Sequence, residues 1–262
     1  MVVLVDMEWL YTTSGLAVGL LVGMTGVGGG ALMTPLLVLG FNVPPLVAVG
    51  TDLLFAAVTK TVGTITHGWQ GSVQWRLVAL LATGSLPATL LTLQYLTQLQ
   101  SHAEALNTLI NTTLAVALFI TAALLLFRDK LTRFIRLHPG KQNTALCFFL
   151  TILAGAGLGV LVTISSIGAG AIGIVVLSLL YPRLETVKIV GTDIAHAVPL
   201  TLIAGMGHLQ LGSVDTHLLV WLLLGSIPGV YFGSRLSQFV PEKTLRVVLA
   251  SILFGVSFSL AR

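Results

Sequence analysis

Asp52, Lys60 and Asp193 are charged residues that lie inside long apolar stretches of the sequence. Charged side chains in such stretches usually face a cavity or the protein interior, and they often mark the path of an ion or a proton. Each aspartate follows a Gly-Thr pair near the start of its stretch. Two interpretations stay open for them: a cap at a helix N-terminus, where Asp is a preferred residue, or a carboxylate that carries a proton. His196 lies one helical turn after Asp193, where it is placed to tune that carboxylate or relay its proton.

Lys60 lies a turn or two before the end of its apolar stretch. Its long side chain could reach the membrane interface, or its charge could attract a substrate anion. Asp52, eight positions earlier and so on roughly the same helix face, is its nearest acidic residue in the sequence. The second interpretation makes Lys60 part of an anion site.

A run of glycines, Gly28, Gly29 and Gly30, interrupts the first apolar stretch. Such a run is expected to break a helix and to expose backbone N–H groups. At membrane depth, exposed amides are tolerated only against protein or a watery cavity, and the N-terminus of the helix that resumes would attract an anion. Close helix packing by small residues is the alternative, but packing does not need three consecutive glycines. A similar cluster of small residues occupies positions 165–170.

Hydroxyl groups beside these clusters would add donors to the oxygens of a bound anion, although each alone is typical of an ordinary intrahelical hydroxyl. The residues predicted to contact an anion are Gly28, Gly29, Gly30, Thr51, Lys60, Ser165, Ser166, Gly168, Gly170 and Thr192. Those predicted to couple a proton are Asp52, Asp193 and His196.

The composition predicts a polytopic membrane protein, because 55% of the 262 residues are hydrophobic and only 8% are charged. A single cysteine excludes a disulfide framework or a cysteine metal cluster. No group of His and carboxylates has metal-ligand spacing, so we expect neither a metal nor a cofactor. A cleavable signal peptide is not expected, since Asp6 and Glu8 occupy the place of a basic leader segment.

The chain contains eight apolar segments that follow one another with short connections. Six have the length of one crossing, about 20 residues, whereas the first and the fifth are longer and contain the small-residue clusters. The segments cover residues 9–39, 45–66, 73–96, 106–127, 144–181, 186–206, 214–236 and 244–260.

The two halves of the sequence repeat each other. Gly-Thr-Asp at 50–52 recurs at 191–193, and Gly-Ser-Leu-Pro at 84–87 recurs as Gly-Ser-Ile-Pro at 225–228, both 141 positions later. His67 and His208, predicted to be interfacial residues that close turns, are separated by the same 141 positions. We therefore expect one membrane domain over 1–262, with repeat one at 9–127, a cytoplasmic connector at 128–143 and repeat two at 144–262.

Loop charges predict the topology, because cytoplasmic loops are enriched in Lys and Arg. If the two long segments each turn back as broken hairpins, eleven of the thirteen basic residues share one side. Each repeat then holds one re-entrant hairpin and three transmembrane helices, and this odd number of crossings inverts the second repeat. Inverted repeats with broken helices at the midplane are typical of secondary transporters.

The glycine cluster, the Gly-Thr-Asp segment, the His-Gly-x-x-Gly-Ser-Val motif and their duplication resemble the sulfite exporter TauE/SafE family, also called toluenesulfonate uptake permeases. The resemblance spans essentially the whole chain, and residues 26–35 are its most specific part. It implies a bacterial inner-membrane transporter of sulfite, thiosulfate, sulfonates or sulfoacetate. The second half departs from the motif, since residues 165–170 contain fewer glycines.

From these observations we expect a multi-pass inner-membrane transporter that exports a small sulfur-containing anion, with proton coupling as a hypothesis. A passive anion channel is the alternative. An intramembrane enzyme that uses Asp52 and Asp193 is less favoured, because no nucleophile or oxyanion site accompanies them. The expected partners are the anion and the lipid bilayer, without nucleic acid, and a homodimer is allowed.

Overall fold

The computed structural model describes residues 2–25, 30–137, 144–236 and 242–260, and these residues are almost entirely helical. Their α-helices are numbered α1 to α10 in chain order. The helices are α1 Val2–Thr25, α2 Gly30–Pro35, α3 Pro45–Trp69, α4 Trp75–Leu99, α5 Ala103–Leu137, α6 Thr144–Ser165, α7 Ala171–Leu180, α8 Thr186–Gln210, α9 Thr216–Leu236 and α10 Glu242–Leu260.

The described helices include six that are long and apolar enough to cross a membrane: α3, α4, α5, α6, α8 and α9. Many large apolar side chains point outward from the bundle, among them Phe149, Leu91 and Phe258. Exposed apolar side chains around long helices are what a lipid environment requires. The predicted all-α, multi-pass membrane architecture is confirmed.

The fifth apolar segment is divided between a long and a short helix, as the sequence predicts. In the first segment α1 ends at Thr25 and α2 begins at Gly30, and residues 26–29 lie outside the described part. After α1, α2 continues into a π-helical turn over Leu36–Gly40, and α6 is followed by a loop at 166–170 and the ten-residue α7. Ten residues of helix rise about 15 Å, roughly half of the hydrocarbon core. Gly28 and Gly29 lie outside the described residues, and Gly30 is the first residue of α2.

Helix packing in one half has a counterpart in the other. α1 packs along α9 and α6 packs along α4, while α3 contacts α8 and α5 contacts α10. If the two halves are exchanged, the α1–α9 pair becomes the α6–α4 pair, whereas the α3–α8 and α5–α10 pairs stay the same. The inverted orientation of the repeats across a membrane remains a prediction.

Small residues let the paired helices approach closely. A Cβ on Gly19 would meet the Ser226 main chain of α9, and one on Gly159 would meet the equivalent Ser85 main chain of α4. Packing by small residues at every fourth position is common between membrane helices. Small-residue packing thus accounts for these glycines, whereas the central clusters need another explanation.

The long α5 extends beyond the predicted end of the first repeat. It continues to Leu137, so residues 128–137 of the predicted connector are helical, and residues 138–143 lie outside the described part. Its inward face, including Leu114 and Leu118, is fully buried in the largest apolar core, with side chains of α3, α8 and α10. This core holds α3 and α8 side by side at the centre of the bundle.

Candidate functional site

The paired helices α3 and α8 bring the three predicted ionisable residues together. Lys60 interacts electrostatically with both Asp193 and Asp52, and its Nζ donates a hydrogen bond to the Ala169 carbonyl at 3.0 Å. Only 7% of Lys60 is exposed, and Asp52 and Asp193 are 0% and 1% exposed. Lys60 is therefore directed into the protein centre and does not extend to the membrane interface.

Neither aspartate caps its helix. α3 begins at Pro45 and α8 at Thr186, so Asp52 and Asp193 each lie seven positions inside their helices. A cap would have to precede the first turn, where the backbone N–H groups are free. This finding removes the capping interpretation and leaves two buried carboxylates beside one ammonium group.

The loop at 166–170 that receives Lys60 has an unusual backbone. Gly168 and Gly170 have φ angles of 129° and 133°, and Ser166 has a φ of 57°. The first two values suit glycine alone, since a Cβ would be strained there. The loop turns its Ala169 carbonyl toward Lys60, and the backbone of Gly170 lies near the Asp193 carboxylate.

Asp193 fits tightly against the short helix α7. A Cβ added at Gly173 would overlap Asp193 Oδ1, so the glycine at this position leaves the space that the carboxylate occupies. Asp193 Oδ1 has no hydrogen-bond partner among the described residues. An unpaired buried polar atom is costly, and in a binding protein it is a candidate contact for a proton or a ligand.

Asp52 is held by the short helix of its own half. The Thr34 hydroxyl in α2 donates to Asp52 Oδ2, whereas Oδ1 has no partner in the described part of the chain. Ser166 lies near the same carboxylate, and its hydroxyl makes no hydrogen bond to a described atom. Residues of both hairpins thus meet around Asp52.

His196 is buried on the same helix as Asp193, but its hydrogen bond leads elsewhere. Its Nε2 contacts Ser85 Oγ in α4 at 2.8 Å, and its Nδ1 has no described partner. The relay from Asp193 to His196 stays a prediction. Sequence reasoning had not selected Ser85, although it belongs to the repeated Gly-Ser-x-Pro motif.

Thr51 and Thr192 join the two repeats. Thr51 Oγ1 accepts a hydrogen bond from the Asp215 N–H, and Thr192 Oγ1 accepts one from the Gln74 N–H, each at 3.0 Å. Each threonine therefore binds the backbone at the turn that precedes a helix of the other repeat. A role of these hydroxyls in substrate binding remains a prediction.

The remaining predicted serine and the two histidines at segment ends stabilise turns. Ser165 Oγ donates to the Leu161 carbonyl at 2.7 Å and accepts from the Ile167 N–H at 3.3 Å. His67 and His208 contact the serine five residues later, at 2.8 Å and 3.1 Å. The predicted turn-closing role of the two histidines is confirmed.

Comparison with known proteins decides the family. A model of the family described as "Sulfite exporter TauE/SafE" matches residues 11–260. The chain belongs to the TauE/SafE family. The expectation drawn from the duplicated motifs is thereby confirmed.

The curated relatives of this TauE/SafE protein are named as probable membrane transporters. The chain is 41% identical to "Probable membrane transporter protein YjnA" of Bacillus subtilis (strain 168), over 91% of this chain and 94% of the relative. It is 30% identical to "Probable membrane transporter protein YdhB" of the same organism, over 90% and 91% of the two chains. A "Probable membrane transporter protein" of Xylella fastidiosa (strain 9a5c) is 27% identical over 86% and 82%. No solved structure matches the chain.

Proposed function

We propose that this membrane transporter exports a small sulfur-containing anion, such as sulfite, thiosulfate, a sulfonate or sulfoacetate, across the bacterial inner membrane with proton coupling. The observation that carries the proposal is the buried Lys60 beside two carboxylates, at the tip of a broken hairpin. The family supports the choice of sulfur anions. The site and the coupling are inferred from the chemistry of these residues.

An anion that enters a membrane protein loses hydration, so fixed positive potential has to replace it. Lys60 supplies a full charge, and the loop at 166–170 is positioned to add backbone N–H donors at the start of α7. Ser166 brings a hydroxyl without a described partner to the same place. The predicted contacts of Gly28 and Gly29 lie outside the described residues and remain part of the proposal.

Two aspartates beside one lysine would repel an anion if both were ionised, because the cluster would then carry a net negative charge. Protonation of one aspartate would remove this repulsion and free Lys60 to attract the anion. Substrate and proton binding would then favour each other by linkage. Such coupling would let a pH gradient drive the anion, which a passive pore does not allow.

The central cluster is closed to solvent, since its ionisable side chains are at most 7% exposed. A substrate reaches it only if the surrounding helices move, and the two short helices at the hairpin tips are the smallest elements that could do so. A permanently open anion channel does not fit a closed centre. Alternating access around a buried site is the mechanism that we infer.

The test is anion flux in proteoliposomes with sulfite, thiosulfate, a sulfonate and sulfoacetate, with and without an imposed pH gradient. We expect a saturable flux of at least one of these anions that the pH gradient drives. Flux that rises linearly with concentration and ignores the gradient would support the channel instead. Absence of flux for the whole panel contradicts the substrate class.

Orientation is tested by single cysteines in a Cys147→Ser background, labelled in intact cells with an impermeant maleimide. We expect labelling from outside at positions 104 and 215, and no labelling at position 130 unless the cells are opened. External labelling at 130 would overturn the predicted topology.

A further inference from the structure

A basic pocket of about 320 Å³ lies at the open end of the second hairpin, where α6 begins and α7 ends. Two arginines, Arg76 and Arg183, line it together with polar groups and three apolar side chains. The lining residues are Gln74, Arg76, Leu77, Phe148, Tyr181, Arg183 and Leu184. No carboxylate is among them.

We propose that this pocket is a vestibule that binds the oxyanion before it enters the central site, which makes Arg76 and Arg183 substrate-loading residues. The inference rests on the proposed anion transport for its physiological ligand. The chemistry of the pocket itself points to an oxyanion, because guanidinium groups bind sulfonate-like and phosphate-like oxygens through paired N–H donors.

Arg76 is held in the pocket by an aromatic ring. Its guanidinium lies 4.7 Å from the centroid of Phe148, a contact that orients the group and leaves its edge free to donate. Neither Arg76 nor Arg183 forms a salt bridge within the described residues, whereas the nearby Lys188 is paired with Glu185 at 3.4 Å. The two arginines therefore keep their charge available for a ligand.

The position of Arg76 is unfavourable without an anion. It is the second residue of α4, and no acidic residue occupies the first turn of this helix. The positive end of the helix dipole disfavours a cation there. A bound oxyanion would relieve this repulsion.

The equivalent end of the first hairpin carries the opposite chemistry. His217 takes the place of Arg76 in the second repeat, and Glu8 takes the place of Phe148 in the first. His217 pairs with Glu8 at 3.1 Å, just as Arg76 contacts Phe148. Asp215 takes the place of Gln74 and caps α9 through the Leu218 N–H at 2.9 Å. The end of the bundle at the second hairpin thus presents arginines that suit an anion, whereas the end at the first hairpin presents carboxylates.

The basic vestibule is connected to the centre. The backbone N–H of Gln74 donates to Thr192 Oγ1 at 3.0 Å, and Thr192 is the neighbour of Asp193. The ten-residue α7 spans the remaining distance to the loop that contacts Lys60, about 15 Å along its axis. In the predicted topology this end of the bundle faces the cytoplasm, which favours loading for export.

Arginine modification tests the vestibule without relying on transport. Purified protein is treated with phenylglyoxal, which reacts with exposed guanidinium groups, and modification is mapped by mass spectrometry with and without thiosulfate. We expect thiosulfate to slow modification of Arg76 and Arg183 but not of Arg235, which also stacks on a ring, that of Tyr231 at 4.4 Å. Equal rates at Arg76 and Arg183 with and without thiosulfate overturn the proposal.

The same experiment distinguishes a soluble oxyanion from a lipid headgroup. It is run in vesicles of phosphatidylcholine alone and in vesicles with added phosphatidylglycerol. We expect protection to require thiosulfate in both. Protection by phosphatidylglycerol in the absence of thiosulfate would assign the pocket to lipid and overturn its loading role.

Flux measurements then connect the pocket to transport. In the double variant Arg76→Gln, Arg183→Gln we expect the KM for thiosulfate presented to the arginine side to rise about five- to tenfold at low salt, and the KM from the opposite side to stay unchanged. Lys188→Gln, on the same side but paired with Glu185, is the control. An unchanged KM on the arginine side overturns the loading role, whereas a wild-type protein that moves no anion contradicts the proposed function.

Discussion

In the first repeat, the Asp52 carboxylate accepts a hydrogen bond from the Thr34 hydroxyl of the short helix α2. In the second repeat, the equivalent Asp193 lies against Gly173 of α7 and near the backbone of Gly170. The same Gly-Thr-Asp segment is therefore held by a side chain on one side and by backbone on the other. A duplicated motif can thus acquire different contacts through its partner helix while its own sequence stays unchanged.

The asymmetry extends to the Lys60 ammonium group of the central cluster. Lys60 belongs to the first repeat but contacts Ala169 in the hairpin of the second, and Thr201 occupies its equivalent position. The Thr201 hydroxyl bonds within its own helix, to Ala197 O at 2.8 Å. One repeat supplies the cation, and the other supplies the loop that receives it.

Removal of the cation should have the largest effect. We expect Lys60→Met to abolish measurable anion binding and transport and to destabilise the protein by about 3–5 kcal/mol, the usual cost of leaving a buried partner charge uncompensated. Thermal unfolding in detergent and anion binding give the two readouts. Thr201→Val, at the equivalent position, is the control and should change little.

If Lys60→Met retains wild-type affinity, the lysine serves structure alone. Because the variant is also expected to unfold more easily, Lys60→Arg supplies a second measurement. It keeps the charge in a larger group, so we expect a folded protein with weakened but detectable binding.

The close packing of Asp193 against Gly173 is tested by adding one methyl group at position 173. We expect Gly173→Ala to lower transport more than tenfold, because the new Cβ would overlap Asp193 Oδ1 and displace the carboxylate from Lys60. Gly157→Ala is the matched control, since a Cβ there meets nothing within 4 Å. Equal transport by the two variants would show that the position of this carboxylate is unimportant.

The two carboxylates should differ in coupling. The short helix α2 presents the Thr34 hydroxyl to Asp52, whereas α7 presents Gly173, which has no side chain, to Asp193. We expect Asp193→Asn to bind thiosulfate but to lose the pH dependence of binding and transport. Asp52→Asn should keep most of that dependence. A wild-type pH profile in Asp193→Asn would falsify its role in coupling.

The smallest effects are expected where the repeats still match. Thr51→Val and Thr192→Val each leave a backbone N–H of the other repeat without its partner, which costs about 1–3 kcal/mol for a buried donor. We expect lower unfolding temperatures with anion affinity nearly unchanged. Thr61→Val, whose hydroxyl bonds only within its own helix at 2.7 Å, is the control. A loss of affinity without a loss of stability would instead support the predicted substrate contacts of Thr51 and Thr192.

Much of the architecture was predictable because it depends on local composition. The lengths of the apolar segments predicted which ones break, and the structure divides the fifth segment as predicted, with α6 ending at Ser165 and α7 beginning at Ala171. The repeated motifs identified the two aspartates as equivalent. Their capping interpretation was wrong, because the helices α3 and α8 begin seven residues earlier than the carboxylates.

Contacts between helices were not predictable in the same way. The sequence offered Asp52 as the neighbour of Lys60, since both lie on one helix face, but it contained no signal for the electrostatic interaction with Asp193 in the other half. Thr34 and Gly173 were also missed as carboxylate neighbours. Periodicity shows which face of a helix is buried, and it does not show which helix lies opposite.

The amino-acid sequence by itself determined the membrane class, the duplication and the family, because hydrophobic length and motif spacing are properties of the chain. Tertiary structure alone decided that one buried lysine interacts electrostatically with carboxylates of both halves. It also decided that two arginines line a pocket at one end of the bundle, while Glu8 pairs with His217 at the other. The physical reason is how far apart in the sequence the interacting residues lie. Burial and helix breaks follow from neighbouring residues, whereas a charge is stabilised by whatever the packing of distant helices places within a few ångströms of it.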